Sequence, residues 1–149
     1  MKNRRSAREA ALQALYQCDV LSDWSIECAM SCYDAFQSDE DPNDLNYEFS
    51  KSLILGAVST RDFLDTQIQS ASSHWSISRM PIIDRNILRL ATFEIFFKED
   101  VPTNVSINEA IEIAKRFSTQ EAHLFINGVL DKIACIFKDT DAEMLKSAM

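Results

Sequence analysis

Wherever this chain is apolar, it is apolar at helical spacing. Ala7, Ala11, Ala14, Leu15 and Cys18 recur at i, i+4, i+7, i+8 and i+11; Ile107, Ala110, Ile111, Ala114 and Phe117 repeat the pattern; Ala122, Phe125, Ile126, Val129, Ile133 and Phe137 form a third, longer stripe. Such spacing lines one face of a helix with about 3.6 residues per turn. No stretch alternates at period two, so the chain has no half-buried strand to offer a sheet. An all-α fold follows.

Helical punctuation agrees. Three serines are each followed three residues later by glutamate, Ser6 to Glu9, Ser106 to Glu109 and Ser118 to Glu121, and each pair reads as a capping box that starts a helix. A further helix is expected near Trp24 to Phe36. The stretch SDEDPNDLN, with Pro42 among clustered carboxylates, reads as a solvated loop. From Leu45 to about Ser72 the pattern is helical, broken near Ser59 where Thr60 suits a second cap. Pro81 opens a helix that runs to about Phe97, apolar nearly all round and therefore buried, and Pro102 closes it. About seven helices result, packed as a bundle of two abutting halves, 1–73 and 74–137, with a polar tail over 138–149. Gly128 lies inside the last helix, where glycine is costly, so a close approach of another helix backbone is expected there.

At 149 residues the chain is long enough to bury one core of its own. It contains two glycines, Gly56 and Gly128, separated by most of its length. That excludes a phosphate-cradling loop or a dinucleotide-binding turn, which need clustered glycines. No apolar run reaches the ~18 residues of a membrane span, and the polar start lacks a signal-peptide core; a cytoplasmic protein is expected. Cys18, Cys28, Cys32 and Cys135 have neither CxxC spacing nor nearby histidines, and they read as reduced, small apolar side chains. Cys28 and Cys32 share a helix face, but further ligands for a metal are not in view. The two histidines, His74 and His123, have no serine or cysteine at a spacing that suggests nucleophile activation. Neither an enzyme nor a cofactor is expected.

The charge distribution points elsewhere. The net charge is -8, yet Lys2, Arg4, Arg5 and Arg8 fall within the first eight residues without an acid among them. With Ser6 as N-cap, Arg4 and Arg5 precede the helix and Arg8 sits in its first turn. Cations oppose the helix dipole there by a few tenths to about 1 kcal/mol each. The same end becomes favourable when a phosphate arrives, because backbone N–H groups and guanidinium forks converge on it. A soluble tail and a nucleic-acid contact are both open; clustering against the overall charge favours the second.

Three segments, RRSAREAALQALY, WSISRMPIIDRNILRLATFEI and VPTNVSINEAIEIAKRFSTQEAHLFINGVLDKIA, resemble the NusB family of transcription antitermination proteins, in order and at the family's spacing. The resemblance covers the first helix and nearly all of Trp75 to Ala134; the acidic middle is not diagnostic. It implies an all-helical, non-enzymatic protein that pairs with NusE, the ribosomal small-subunit protein, and binds the single-stranded boxA element of nascent ribosomal RNA. This pairing keeps RNA polymerase in an antitermination complex. By the same resemblance Lys2, Arg4, Arg5, Arg8, Gln13, Phe117, Glu121 and Phe125 are RNA-binding candidates, and Tyr16 and Asp84 belong to the NusE surface.

The residues themselves leave alternatives beside these roles. Phe117, Phe125 and Tyr16 lie on or beside apolar stripes and suit a core equally well, and Asp84 with Arg85 suits an exposed pair at a helix start. Two positions depart from the family pattern. Ser118 stands where glycine is usual, and Leu124 stands where lysine is common. Two other identities compete with the adaptor reading: a helical protein-interaction module, and a NusB-like domain of the kind fused to ribosomal RNA methyltransferases. With no glycine-rich turn and no sheet expected before Met149, a stand-alone adaptor fits better.

Overall fold

Asn3, and not Ser6, starts the first helix. Its side-chain Oδ1 accepts the Ser6 backbone N–H at 2.8 Å and its carbonyl accepts from Ala7, so α1 runs Arg4–Leu21. Ser6 therefore lies inside the first turn. The structure, a computed structural model, describes residues 3–36 and 44–140. Lys2, most of the acidic loop and the tail beyond Thr140 lie outside the described residues.

The described residues form seven α-helices and one short 3-10 turn: α1, α2 (Ile26–Phe36), α3 (Leu45–Ser59), α4 (Arg61–Ala71), the 3-10 turn Ile77–Arg79, α5 (Ile82–Phe97), α6 (Thr103–Phe117) and α7 (Ala122–Asp139). There is no strand among them. The other two expected capping boxes are also absent, because tertiary partners claim the serines. Ser106 is buried within α6, where its hydroxyl donates to Glu94 Oε1 at 3.0 Å. Ser118 ends α6, and Glu121 precedes α7 in helical conformation without capping it. Pro102 introduces α6, since α5 has already ended at Phe97. Thr60 does separate α3 from α4, without a side-chain cap bond.

The chain divides into two units, one to Ser59 and one from Thr60. In the first, α1 packs on α2 and α3. The predicted stripe of α1, Ala7 to Cys18, is buried in full, as are Ala29 and Tyr33 of α2 and Phe49, Leu53, Ile54 and Ala57 of α3. Alanines at three of the five stripe positions let neighbouring backbones come close. The left-handed Ser22, with φ of 53°, closes α1.

In the second unit α5 is central, packed by α4, α6 and α7. Every residue from Asn86 to Phe96 is buried, which matches the apolar residues found nearly all round this helix. Its polar members need partners, because an unpaired buried group costs about 1–3 kcal/mol. Arg89 makes a two-pronged contact with Asp65 at 2.7 and 3.1 Å and a third bond to Asn86 Oδ1 at 2.9 Å. Asn86 in turn donates to the Ile82 carbonyl. Phe96 packs edge-on against both Phe63 and Phe137, with centroids 5.2 Å apart in each pair.

One expectation fails outright. A Cβ added at Gly128 would meet nothing within 4 Å, and the position is exposed. Among the described residues, no other element comes within that distance of the added Cβ.

Candidate nucleic-acid interface

Because α1 begins at Arg4, the arginines Arg4, Arg5 and Arg8 all belong to its first two turns rather than to a preceding tail. There is no acidic residue in the first turn to complement the dipole. Arg4 and Arg8, one turn apart, lie over the same ring: their guanidinium carbons stand 4.3 and 5.2 Å from the centroid of Phe49 on α3. Beside Phe49, the Ser50 hydroxyl donates to the Ala7 carbonyl at 2.7 Å in a buried contact. The basic end of α1 is thereby fastened to α3. Arg8 is only 4% exposed, whereas Arg4 and Arg5 are exposed. Gln13 and Tyr16 are exposed further along α1, so the core reading of Tyr16 is set aside.

Three other candidates meet in the second unit. Asp84, Glu121 and Phe125 line a groove of about 520 Å³, together with Trp75, Arg79 and Met80. Trp75, one of the residues lining it, is more than half exposed and offers a flat surface on which a base or an apolar side chain can stack. Asp84 is not part of an exposed pair. It is buried, and its carboxylate accepts the Ser118 hydroxyl, while Arg85 reaches toward the carbonyls of Ile77 and Ser78. Phe117 ends its predicted apolar stripe on the surface, nearly half exposed, with the Arg116 guanidinium 5.0 Å from its ring. It is not a core residue. Phe125 is half-buried, its ring at once packed and presented to the groove.

Sequence reading missed Phe49, Trp75 and Arg79. Phe49 carries no local signal, since only the packing of α3 on α1 puts its ring beneath two arginines. Trp75 had one: a large aromatic before a short polar turn, off every apolar stripe.

Cys18 is buried, and burial together with the neighbouring Cys28 pushes its thiol up to about 12; Cys32 is raised as well, first by burial. Among the described residues, no group of three or more His, Cys, Asp or Glu side chains is placed to hold a metal ion. Among the same residues, no helix is long and apolar enough to cross a membrane.

Residues 5–135 match the sequence profile of the NusB family. A transcription antitermination protein NusB from Geotalea uraniireducens (strain Rf4) is 43% identical over 145 residues, covering 95% of this chain and all of that protein. The solved T. maritima NusB is similar over 98% of both chains, with 33% identity and a TM-score of 0.79. A crystal structure of the antitermination factors NusB and NusE in complex with dsRNA matches with a TM-score of 0.78 and 26% identity, over 91% of this chain and 98% of that one.

Proposed function

The chain belongs to the NusB family, and on that premise we propose that it is an RNA-binding transcription antitermination factor that works with NusE. The pair binds boxA-type RNA of nascent ribosomal transcripts, and the bound complex helps RNA polymerase pass terminators. The protein is cytoplasmic and acts by binding alone, without catalysis or cofactor. It functions as one domain of two helical units, one to Ser59 and one from Thr60, and not the halves 1–73 and 74–137, because α4 packs on α5 and α7 of the second unit.

The observation that carries this reading is the seating of Arg4 and Arg8 on Phe49. A soluble tail has no reason to build its cations into a folded unit. Phosphate recognition does, because it requires guanidinium groups at defined positions. Arg5, Lys2 and Gln13 extend this contact along and ahead of α1. Glu121, Phe117 and Phe125 supply base and edge contacts, while Tyr16 and Asp84 belong to the NusE surface.

A body of net charge -8 opposes RNA, so a basic partner that lengthens the binding surface should raise affinity strongly. The test is a titration of boxA-type RNA with and without NusE. Weak binding alone and much tighter binding with NusE is expected; equal affinity in the two arms would count against the partnership, and no binding in either arm would refute the RNA role. A protein-interaction module without RNA binding has one observation in its favour, Leu124, which is 66% exposed. It predicts NusE binding with no RNA retained.

A further inference from the structure

We propose that Phe49 is a positioning residue for RNA binding: its ring holds Arg4 and Arg8 in place so that the exposed arginine meets a backbone phosphate. The inference rests on the RNA-binding reading above and names the device that makes the basic end of α1 a binding surface.

Arg4 and Arg8 stand at i and i+4, where like charges repel. Both also sit at the end of a helix whose dipole disfavours cations. Left to themselves, two such side chains would splay into solvent. Instead both guanidinium groups stand over one aromatic ring, whose negative face offsets part of this repulsion. The ring is itself fixed, because Phe49 is buried in α3 and the adjoining Ser50 bonds the backbone of α1 at Ala7.

Stacking suits a phosphate ligand for a geometric reason. Contact with a ring face is made without spending N–H donors on it, and a phosphate can take two such donors of one guanidinium at once. Holding the side chain in advance removes part of the ordering entropy that a long arginine otherwise loses on binding. The exposure of the two arginines divides the work. Arg4 is exposed and reaches the phosphate; Arg8 is buried and completes the contact with the ring.

The experiment compares wild type, Phe49→Leu and Phe49→Tyr with NusE present, using a fluorescent boxA-type RNA at several salt concentrations and circular dichroism as the folding control. Leucine keeps the side chain apolar and removes the ring face; tyrosine keeps the ring face. Phe49→Leu should weaken RNA binding roughly two- to fivefold, the scale of a lost cation–π contact. Its slope of log affinity against log salt should become shallower by up to about 0.7, one single-strand phosphate contact. Phe49→Tyr should restore both affinity and slope. A folded Phe49→Leu with wild-type affinity and slope would overturn the proposal, and so would a Phe49→Tyr as weak as Phe49→Leu.

A measurement on the unmutated protein stands apart from any folding defect. The side-chain protons of Arg4 and Arg8 should be shifted upfield by the ring current of Phe49 in NMR spectra, and unshifted protons would overturn the proposal directly. Failure of wild type to bind RNA at all would instead refute the RNA-binding reading, and the positioning role with it.

Discussion

The hydroxyl of Ser118 donates to the carboxylate of Asp84 across 2.5 Å, joining the end of α6 to the first turn of α5, 34 residues away. Asp84 is buried, so this donor satisfies a group that water reaches poorly. Removing it with Ser118→Ala should lower stability by about 1–3 kcal/mol, the cost of a buried acceptor left short of its partner. Ser118→Gly should do the same. Chemical denaturation of both, together with an Asp84→Ala and Ser118→Ala double-mutant cycle, checks the point; the cycle should show coupling of at least about 0.5 kcal/mol.

The arginines of α1 separate into two kinds. Arg8 is buried against Phe49, so Arg8→Ala should destabilise the fold by about 1–2 kcal/mol through lost packing of its stem and lost stacking. Arg5 is exposed, and Arg5→Ala should leave stability within about 0.5 kcal/mol of wild type, since the dipole disfavours the cation it removes. Both should weaken RNA binding. Thermal unfolding beside an RNA titration distinguishes a structural loss from a purely electrostatic one. A triple alanine variant at Arg4, Arg5 and Arg8 is thus not the neutral change that charge alone suggests.

Gly128 is open on its outer side, within α7. Gly128→Ala should therefore stabilise the protein by about 0.5–1 kcal/mol, the usual gain at a helix interior that tolerates a methyl group. Gly128→Leu should be tolerated too. A lower melting temperature for the alanine variant would show that the position is crowded.

Cys18 is expected to be inert. Burial and the neighbouring Cys28 push its thiol up to about 12, against an ordinary 9.0. At about pH 8 only about one molecule in ten thousand then carries the reactive thiolate. Iodoacetamide should label the exposed Cys135 first and reach Cys18 only after unfolding, as mass spectrometry of labelled peptides can report. The raised value also sets a pH dependence. Folding favours the neutral thiol, so this contribution is complete below 9.0 and is lost as pH climbs toward about 12, and the denaturation midpoint should fall across that window.

Helices were legible because their signal is local. The stripe Ala7 to Cys18 needs only its own spacing to be read, and every member is buried. The all-round apolar character of residues 82–97 likewise announced the central helix of the second unit. Boundaries were less legible, for a reason the serines make plain. Ser6, Ser106 and Ser118 look alike in sequence, each with a glutamate three residues on. A serine hydroxyl bonds the nearest group that most needs it, and for Ser106 and Ser118 that group is a carboxylate on α5.

Sequence by itself determined the secondary structure class, the central helix and the presence of a basic helix start, because periodicity and charge are properties of neighbours along the chain. Tertiary structure alone decided what that basic start rests on. Phe49 lies 41 residues beyond Arg8, outside every stripe that names a helix face, and nothing in its own neighbourhood marks it. Only when α3 packs against α1 does its ring come beneath Arg4 and Arg8. The fate of Gly128 was decided in the same way. Its cost to the helix could be read from the chain, but the space beside it depends on which elements pass nearby, and among the described residues none comes within 4 Å of an added Cβ.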